Sequence, residues 1–354
     1  MLNREYRDKF SQMIILGLDV DEINSEIISL IRDYKIGGVV IYKKSYHTTL
    51  EMVDYINKLK MINKDNIGMF IAIDQENGRV NRLSNDIVKM PSASKVASSK
   101  NMDYVRSVAR VTADILSMVG VNMNFSPVLD INRGDVNSII GDRGYGSNRR
   151  DVIKFGLPFM EELTNKKIIS VVKHFPGHGL CNVNSHYLIP KIKDVKLMER
   201  EDSKVFEEAI LAGCDAIMVG HLRVRGYGMK PATINKRIIR DYLIDKYNYQ
   251  GLVVTDDLRM NLLGMIYGMD RVVKSSVDGL NNLLVIKYRK GDTKLYDRLY
   301  RMVDNGKIDR NLIDSSYNKI MSIKRKYGIN NDRVIDKIDV LKINQMIRKL
   351  DTLV

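Results

Sequence analysis

The architecture that we expect rests on one stretch, which reads Ile168-Ile169-Ser170-Val171-Val172-Lys173-His174-Phe175-Pro176-Gly177-His178-Gly179. Its first five residues are rich in β-branched side chains and are few enough to form one buried strand. Lys173 and His174 then lie at the carboxyl end of that strand. The Pro-Gly pair breaks the strand and begins a loop, which carries two more histidines, His178 and His186. A Lys-His pair can bind hydroxyls or a carboxylate, and a loop histidine can transfer a proton near neutral pH.

The alternation of a short apolar run with a helical segment recurs along the chain and predicts a parallel (β/α)8 TIM-type barrel. The expected strands are 13–19, 36–42, 69–74, 122–130, 168–172, 216–221, 252–257 and 282–286. No linker rich in Pro, Gly or Ser divides the chain, so we expect one domain over residues 1–354. In this prediction the barrel covers about residues 10–305, and a C-terminal helical extension covers about residues 306–354.

Helices are expected between and after these strands, where apolar residues recur at three and four positions. The expected ranges are 21–33, 48–61, 104–118, 150–165, 195–211, 234–247, 294–304, 310–326 and 332–350. Asp21 is the expected N-cap of the first helix, because a short acidic side chain can accept a hydrogen bond from a free backbone N–H.

Polar side chains follow several of the apolar runs. They are Asp74, the glycine-flanked Arg143, Lys173 with His174, His221, and Asp256 with Asp257. The carboxyl ends of barrel strands form one face, and active sites of barrel enzymes lie there. The shared placement of these residues therefore predicts an enzyme.

The composition argues against several other classes of protein. The chain has 57 basic and 43 acidic residues and a net charge of +14, but no basic block is interleaved with aromatic residues. We therefore expect no nucleic-acid partner. The first ten residues are largely polar, and the apolar run 13–18 is too short for a signal sequence or a membrane span. These features predict a cytosolic location and no membrane partner. They do not indicate an oligomeric state.

No cofactor or metal is expected, because the chain contains neither a GxGxxG turn after a strand, nor a Walker lysine, nor an HExxH motif. His174 and His178 are four residues apart, but the intervening Pro-Gly pair excludes the helix that such a metal site would need. Cys181 and Cys214 match neither a metal spacing nor a disulfide framework, and we expect free thiols.

The remaining polar residues suit sugar chemistry. Asp256 follows an apolar strand, and a rigid carboxylate there can attack an acetal carbon to form a covalent glycosyl intermediate. Either Asp256 or Asp257 can instead cap the next helix. Donors and acceptors for sugar hydroxyls come from Asp74, Arg82, Arg143, Lys173 and His174.

Six motifs together resemble family 3 glycoside hydrolases, and most closely the single-domain β-N-acetylglucosaminidases of peptidoglycan recycling. In order over about residues 10–290 they are DQENGRVNRL at 74–83, NFSPVLDIN at 124–132, GDRGYGS at 141–147, KHFPGHG at 173–179 with Asn184-Ser185-His186, IMVGH at 217–221 and VVTDDLRM at 253–260. The resemblance implies a retaining exo-enzyme that releases terminal N-acetylglucosamine from muropeptides or related glycans.

The resemblance also implies a role for each matching residue. Asp256 matches the nucleophile, and His186 matches a general acid/base on the loop after the fifth strand. Asn184 stands where the family usually has the Asp that orients and charges that histidine. The residues that match those binding N-acetylglucosamine are Asp74, Arg82, Arg143, Lys173 and His174.

The sequence departs from the family pattern at three places. Besides Asn184, Asn77 replaces a glycine, and Asp278-Gly279-Leu280-Asn281 replaces the usual Ala-Gly-x-Asp. Asn tolerates a left-handed backbone, so the change at Asn77 is expected to be harmless. Two alternatives to the hydrolase stay open: an N-acetylglucosaminide phosphorylase, because a neutral Asn184 admits phosphate more easily, and a weakly active sugar-binding barrel.

Overall fold

The structure is a computed structural model that describes residues 2–134, 139–181, 189–260 and 263–353. Within these ranges, eight parallel strands form one sheet: β1 Ile14–Leu18, β2 Gly38–Ile41, β3 Phe70–Ile73, β4 Met123–Asn124, β5 Ile169–Phe175, β6 Ala216–Val219, β7 Leu252–Thr255 and β8 Leu284–Lys287. The strands follow one another in the order β8-β1-β2-β3-β4-β5-β6-β7. A parallel bridge from Val254 of β7 to Leu283, next to β8, closes the ring. The predicted (β/α)8 barrel is confirmed.

Helices surround the barrel. Their bounds are Leu2–Ser11, Ser25–Arg32, Thr49–Ile62, Ala93–Ser98, Met102–Met118, Arg149–Asn165, Val195–Leu197 continuing through Met198–Asp202 and Ser203–Leu211, Lys236–Ile238 continuing through Ile239–Lys246, Leu263–Tyr267, Met269–Asp278, Thr293–Asp304, Arg310–Tyr327 and Val340–Lys349. Each predicted helix has a counterpart in the structure, but the helices Leu2–Ser11, Ala93–Ser98, Leu263–Tyr267 and Met269–Asp278 were not predicted. A two-stranded parallel ribbon, Lys191–Ile192 with Arg223–Val224, lies outside the barrel sheet. No helix in the described ranges is both long and apolar enough to cross a membrane.

The barrel strands are buried on both faces, which explains their continuous apolar runs. Every residue of β1, β2, β3 and β7 is buried. One face of each strand fills the barrel interior, and the other packs against the surrounding helices. In this barrel, the side chain of the residue that follows each strand lies at the open, carboxyl-terminal face.

Two of the predicted boundaries near the barrel are wrong. The expected strand 122–130 is reduced to Met123–Asn124, because Pro127 has no N–H to donate to a ladder. Pairing resumes only as a bridge from Val128 to Lys173. The first of the expected helices is capped by Asn24, whose side chain accepts from the N–H of Ile27, and not by Asp21. Asn24 lies directly before the first helical residue, where an N-cap must stand.

The predicted helix 332–350 is also wrong in its first half, because residues 332–339 are extended and the helix begins at Val340. Hydrogen bonds to other elements replace the helical ones in this segment. Asn57 accepts from the N–H of Ile335 and donates to its carbonyl oxygen. The Nζ of Lys60 donates to the carbonyl oxygen of Arg333. Apolar spacing alone does not reveal such partners, which lie far away in the sequence.

Lys324 lies buried at the amino-terminal end of the barrel and is 3% exposed. Its Nζ donates to Oε1 of Gln12 at 2.7 Å and to the carbonyl oxygen of Gly37 at 3.0 Å. The Nζ also lies 4.6 Å from the ring centroid of Phe70. Among the described residues no carboxylate pairs with it, and burial lowers the pKa of Lys324 to about 7.

This buried lysine makes stability depend on pH. Between its folded pKa of about 7 and its ordinary value of 10.5, the unfolded chain binds more protons than the folded chain. The free energy of unfolding therefore rises with pH in that window. We expect Lys324→Met to flatten this rise by up to about 1.4 kcal/mol per pH unit, measured by urea unfolding at about pH 7 and about pH 9. Lys349→Met, at an exposed helix position, serves as the control. An equal slope in both variants would contradict the prediction.

Candidate active site

A cavity of about 550 Å³ opens at the carboxyl-terminal face of the barrel. Six of the predicted site residues line it, and they come from different strands and loops of the ring: Asp74, Arg82, Arg143, Lys173, His174 and Asp256. The expected convergence on one face is met for Asp74, Arg143, Lys173, His174, His221, Asp256 and Asp257, and Arg82 lines the same cavity. Asn184 and His186 lie outside the described residues, so their predicted roles stay predictions.

A network of four charged side chains forms one wall of the cavity. The Nζ of Lys173 lies 2.7 Å from Oδ1 of Asp74 and 2.5 Å from Oε1 of Glu76. Arg143 donates two hydrogen bonds to Glu76, from Nε at 2.6 Å and from Nη2 at 2.9 Å. The side chains of Lys173 and Glu76 are each only 3% exposed. Such a buried network holds its members in one geometry, as a site for sugar hydroxyls requires.

Glu76 is the centre of this network, although the sequence reasoning gave it no role. Burial opposes its ionisation, but the charges of Lys173 and Arg143 outweigh that effect and hold the pKa of Glu76 well below its usual range. One signal was available in the sequence. Glu76 lies two residues after Asp74, and side chains two apart on an extended backbone point to the same side. Between them, Gln75 turns away and accepts from the N–H groups of Arg82 and Leu83.

A second buried carboxylate, Asp130, orients His174. Its Oδ2 lies 2.6 Å from Nδ1 of His174, and its Oδ1 accepts from the N–H of His178 at 2.6 Å. The carboxylate fixes the ring proton on Nδ1 of His174, which leaves Nε2 for a ligand. Asp130 lies in the motif NFSPVLDIN, but the sequence assigned it no role of its own. Burial opposes its ionisation, and the nearby His174 and His178 nevertheless hold the pKa of Asp130 below its usual range.

His178 lines the same cavity and is 5% exposed. Its Nδ1 has no hydrogen-bond partner among the described residues. Burial lowers the pKa of His178, with the charge of Asp130 acting against this shift. A neutral imidazole is therefore favoured at this position near neutral pH.

Asp256 stands directly after β7 and lines the cavity. Its Oδ1 accepts from the N–H of Asp257 at 2.8 Å. Burial opposes its ionisation, but the charges of His221, His174 and Lys173 lower the pKa of Asp256. A carboxylate that stays ionised in a partly enclosed cavity is suited to nucleophilic attack.

Asp257 has a different environment from its neighbour. Its Oδ1 accepts from two backbone N–H groups, that of Arg259 at 3.0 Å and that of Lys287 at 3.1 Å. Burial raises the pKa of Asp257. These contacts join the loops that follow β7 and β8, so the carboxylate of Asp257 has a structural part to play. The sequence left open whether Asp256 or Asp257 has a structural role, such as capping the next helix. The geometry favours Asp257 for the structural role.

His221 supports the same corner of the cavity from the end of β6. Its Nε2 lies 2.8 Å from the carbonyl oxygen of Asp257, and its Nδ1 lies 2.7 Å from Oγ1 of Thr233. The side chain is 2% exposed. His221 therefore holds the peptide that follows Asp257, one residue beyond Asp256.

Two of the departures from the family pattern lie in the described residues. Asn77 has a φ of 71° and so adopts the left-handed backbone that the sequence led us to expect. Asp278 forms an ion pair with Lys274, and both side chains are exposed to solvent. Asn281 donates to the carbonyl oxygens of Thr233 and Ser276. Asp278 and Asn281 are not among the described residues that line the cavity, although Thr233 contacts His221, which does line it.

Comparisons with known proteins agree with this geometry. Residues 5–323 match the family described as the glycosyl hydrolase family 3 N terminal domain. The chain is 28% identical over 329 residues to beta-hexosaminidase A of Pseudoalteromonas piscicida, covering 85% of this chain and 55% of that protein. It is 28% identical over 291 residues to a beta-hexosaminidase of Tolumonas auensis, covering 80% of this chain and 86% of that protein. The chain therefore spans about half the length of the first relative and most of the second.

The fold is also similar to solved structures. A family 3 beta-N-acetylglucosaminidase from Paenibacillus sp. superposes with a TM-score of 0.88 at 26% identity, covering 98% of this chain and 68% of that one. LpqI of M. tuberculosis superposes with a TM-score of 0.81 at 25% identity, covering 90% and 93%. Because the family match extends over most of the sequence and includes the whole barrel, the chain belongs to glycoside hydrolase family 3.

Proposed function

We propose that this protein is a retaining exo-β-N-acetylglucosaminidase, which releases terminal non-reducing N-acetylglucosamine from peptidoglycan fragments or related glycans in the cytosol. The observation that carries the proposal is the position of Asp256. It is an ionised carboxylate at the end of β7, in the same cavity as the Asp74–Glu76–Lys173–Arg143 network. The names of the relatives and of the similar structures support the N-acetylhexosaminide as substrate.

In the proposed reaction, a carboxylate oxygen of Asp256 attacks the anomeric carbon of the sugar. The bond to the leaving oxygen breaks, and that oxygen takes a proton from the imidazolium of His186. The neutral imidazole then removes a proton from water, whose oxygen attacks the same carbon and releases Asp256. Two inversions at one carbon retain its configuration.

The remaining cavity residues bind and orient the sugar in this proposal. Asp74 and Lys173 present an acceptor and a donor to vicinal hydroxyls, and Nε2 of His174 presents a third polar atom. Glu76 and Asp130 lie behind them and hold Lys173 and His174 in place. A preorganised site of this kind aligns C1 with Asp256 before the reaction begins.

A chromogenic N-acetyl-β-glucosaminide tests the proposal directly. Hydrolysis that needs no phosphate and yields the β-anomer first, observed by NMR, is the expected result. Turnover that depends on phosphate and yields a sugar phosphate would favour the phosphorylase, for which the neutral Asn184 is the specific observation. Binding without turnover, both with and without phosphate, would favour the weakly active sugar-binding barrel.

His186→Ala separates the acid role of His186 from a role in binding. A leaving group of high pKa needs a proton to depart, whereas an activated aryl oxide needs little help. We expect the variant to lose about 10²-fold or more in turnover of the poor leaving group, and far less for the activated glycoside. A series of aryl glycosides of increasing leaving-group pKa measures this slope. Equal losses across the series would show that His186 is not the acid.

Asn184→Asp tests the departure from the family loop. A carboxylate beside an imidazole favours the imidazolium and fixes its tautomer, whereas an amide brings no charge. We expect the variant to turn over unactivated substrates about tenfold faster, since general acid catalysis supplies factors of this size. Its activity should also extend to higher pH, because the imidazolium persists there. An unchanged rate and an unchanged pH profile would contradict this expectation.

A further inference from the structure

Three cationic side chains line the cavity on the side opposite the hydroxyl-binding network. They are Arg259, in the loop after β7, and Lys287 and Arg289, at the end of β8 and in the loop that follows. We refer to these three residues as the β7–β8 cluster. The family motifs in the sequence assign a role to none of them.

Two carboxylates bring the members of the cluster together. The Oδ1 of Asp257 accepts from the N–H groups of both Arg259 and Lys287. Asp292 accepts from the guanidinium of Arg259 through Oδ1 and from the N–H of Arg289 through Oδ2. The backbone at Arg259, Lys287 and Arg289 is therefore held in one relative arrangement.

The cluster has hydrogen-bonding capacity that the protein does not use. The side chain of Arg259 is 7% exposed, yet its Nε and Nη1 have no partner in the described part of the chain. A buried N–H without an acceptor costs free energy, and a ligand oxygen at that position would recover it. Arg289 is exposed at the cavity mouth, where a guanidinium can bind two oxygens of one group.

Lys287 reaches the cavity because β1 has no side chain in its way. A Cβ at Gly17 would lie 3.1 Å from Cα of Lys287 and 3.5 Å from Cε2 of Tyr42. The Nζ of Lys287 lies 5.5 Å from the ring centroid of Tyr42 and forms an ion pair with Asp19. The Lys287 side chain remains 42% exposed and accessible to a ligand.

On the opposite wall, Lys173 and Arg143 both pair with Glu76, and Lys173 also pairs with Asp74. Arg82 also lines the cavity, and its Nε has no partner among the described residues. On the β7–β8 side, Lys287 pairs with Asp19 and Arg259 with Asp292, so the unused buried donors there are Nε and Nη1 of Arg259. The loops after the seventh and eighth strands are also where barrel enzymes often bind anionic oxygens.

We propose that the β7–β8 cluster is a subsite for an anionic group, carboxylate or phosphate, carried by the leaving part of the substrate. This inference rests on the proposed function, because it places the sugar against the Asp74–Lys173 wall. The leaving part then departs from the side of the anomeric carbon opposite Asp256 and extends toward the cavity mouth, where Arg289 lies. The enzyme binds glycosides with a negatively charged leaving part more tightly than neutral ones.

A matched pair of substrates tests the subsite. One is an aryl N-acetyl-β-glucosaminide with a carboxylate on the ring, and the other carries a carboxamide at the same position. We expect a kcat/KM ratio of about tenfold or more in favour of the carboxylate, decreasing with added salt. In the Lys287→Met/Arg289→Gln variant the ratio should fall to near one. Lys290→Gln removes an adjacent exposed cation that does not line the cavity, and it should keep the wild-type ratio.

A ratio near one in the wild type, or the same ratio after the double substitution, overturns the inference. An aryl phosphate in a third arm shows which anion the subsite prefers. If inorganic phosphate instead accelerates turnover of the carboxamide, the cluster binds a free anion and the inference is wrong. If the wild type turns over neither substrate, the proposed function fails. The same two compounds are then titrated by calorimetry. Binding of the carboxylate that is about tenfold tighter than that of the carboxamide supports the subsite, and equal affinities overturn it.

Discussion

Asp256→Asn should lower the turnover of N-acetyl-β-glucosaminides by about 10⁴-fold or more, because an amide oxygen cannot form the covalent intermediate. Binding of the sugar should survive. The nucleophile acts mainly in the transition state, and the hydroxyl-binding residues at Asp74, Lys173 and His174 are untouched. Single-turnover kinetics and calorimetric titration with N-acetylglucosamine measure the two effects separately.

The neighbouring Asp257→Asn is the matched control. The amide keeps an oxygen that can accept from the N–H groups of Arg259 and Lys287, which are the contacts of Asp257 Oδ1. We therefore expect turnover to remain within about tenfold of the wild type, with some loss of thermal stability. The assignment of the nucleophile is reversed if Asp257→Asn abolishes turnover while Asp256→Asn does not.

Glu76→Gln is expected to have the second largest effect, on stability and on catalysis together. Among the described residues, the substitution leaves the buried cations Lys173 and Arg143 with only Asp74 as an ion-pair partner. Removing one member of a buried ion pair typically costs about 3–5 kcal/mol, because the remaining charge stays out of water. Since Lys173 also contacts the proposed sugar site, we expect kcat/KM to fall by about 10²-fold or more, with a rise in KM.

Glu162→Gln provides a close control for this prediction. Glu162 is also a buried carboxylate between two cations, accepting from Arg106 and Arg110, but it lies between outer helices and does not line the cavity. Its substitution should lower the free energy of unfolding and leave KM unchanged. If Glu76→Gln changes stability alone, as Glu162→Gln is expected to do, Glu76 has no part in positioning the site.

The barrel was predictable from the sequence because its strands are buried on both faces. Such strands form nearly continuous apolar runs, and β1 and β7 appear where those runs lie. The predicted helix 332–350 was wrong in its first half, because Asn57 satisfies the backbone of Ile335 from a helix far away in the sequence. The periodicity of apolar residues indicates which side chains are buried. It does not indicate hydrogen bonds between residues that are far apart in the sequence.

The site could be predicted where a residue matches a motif and lies at a strand end. Asp74, Lys173, His174 and Asp256 meet both conditions and share the cavity. Glu76 and Asp130 were missed as site residues because their partners come from other strands, and charge pairing across a barrel cannot be read from one segment. Spacing also could not distinguish Asp256 from Asp257. Their difference arises in part from the N–H of Lys287, which only the folded chain brings near Asp257.

The carboxylate of Asp257, which accepts from both the β7 loop and the β8 loop, has a consequence for engineering. Loops on the open face of a barrel are usually treated as exchangeable modules. Here the two loops share one acceptor, and Asp292 joins them a second time through Arg259 and Arg289. A graft that replaces either loop alone would leave buried donors or acceptors without partners. A designer who wants a new specificity on this scaffold should therefore transplant residues 257–260 and 287–292 as a single cassette.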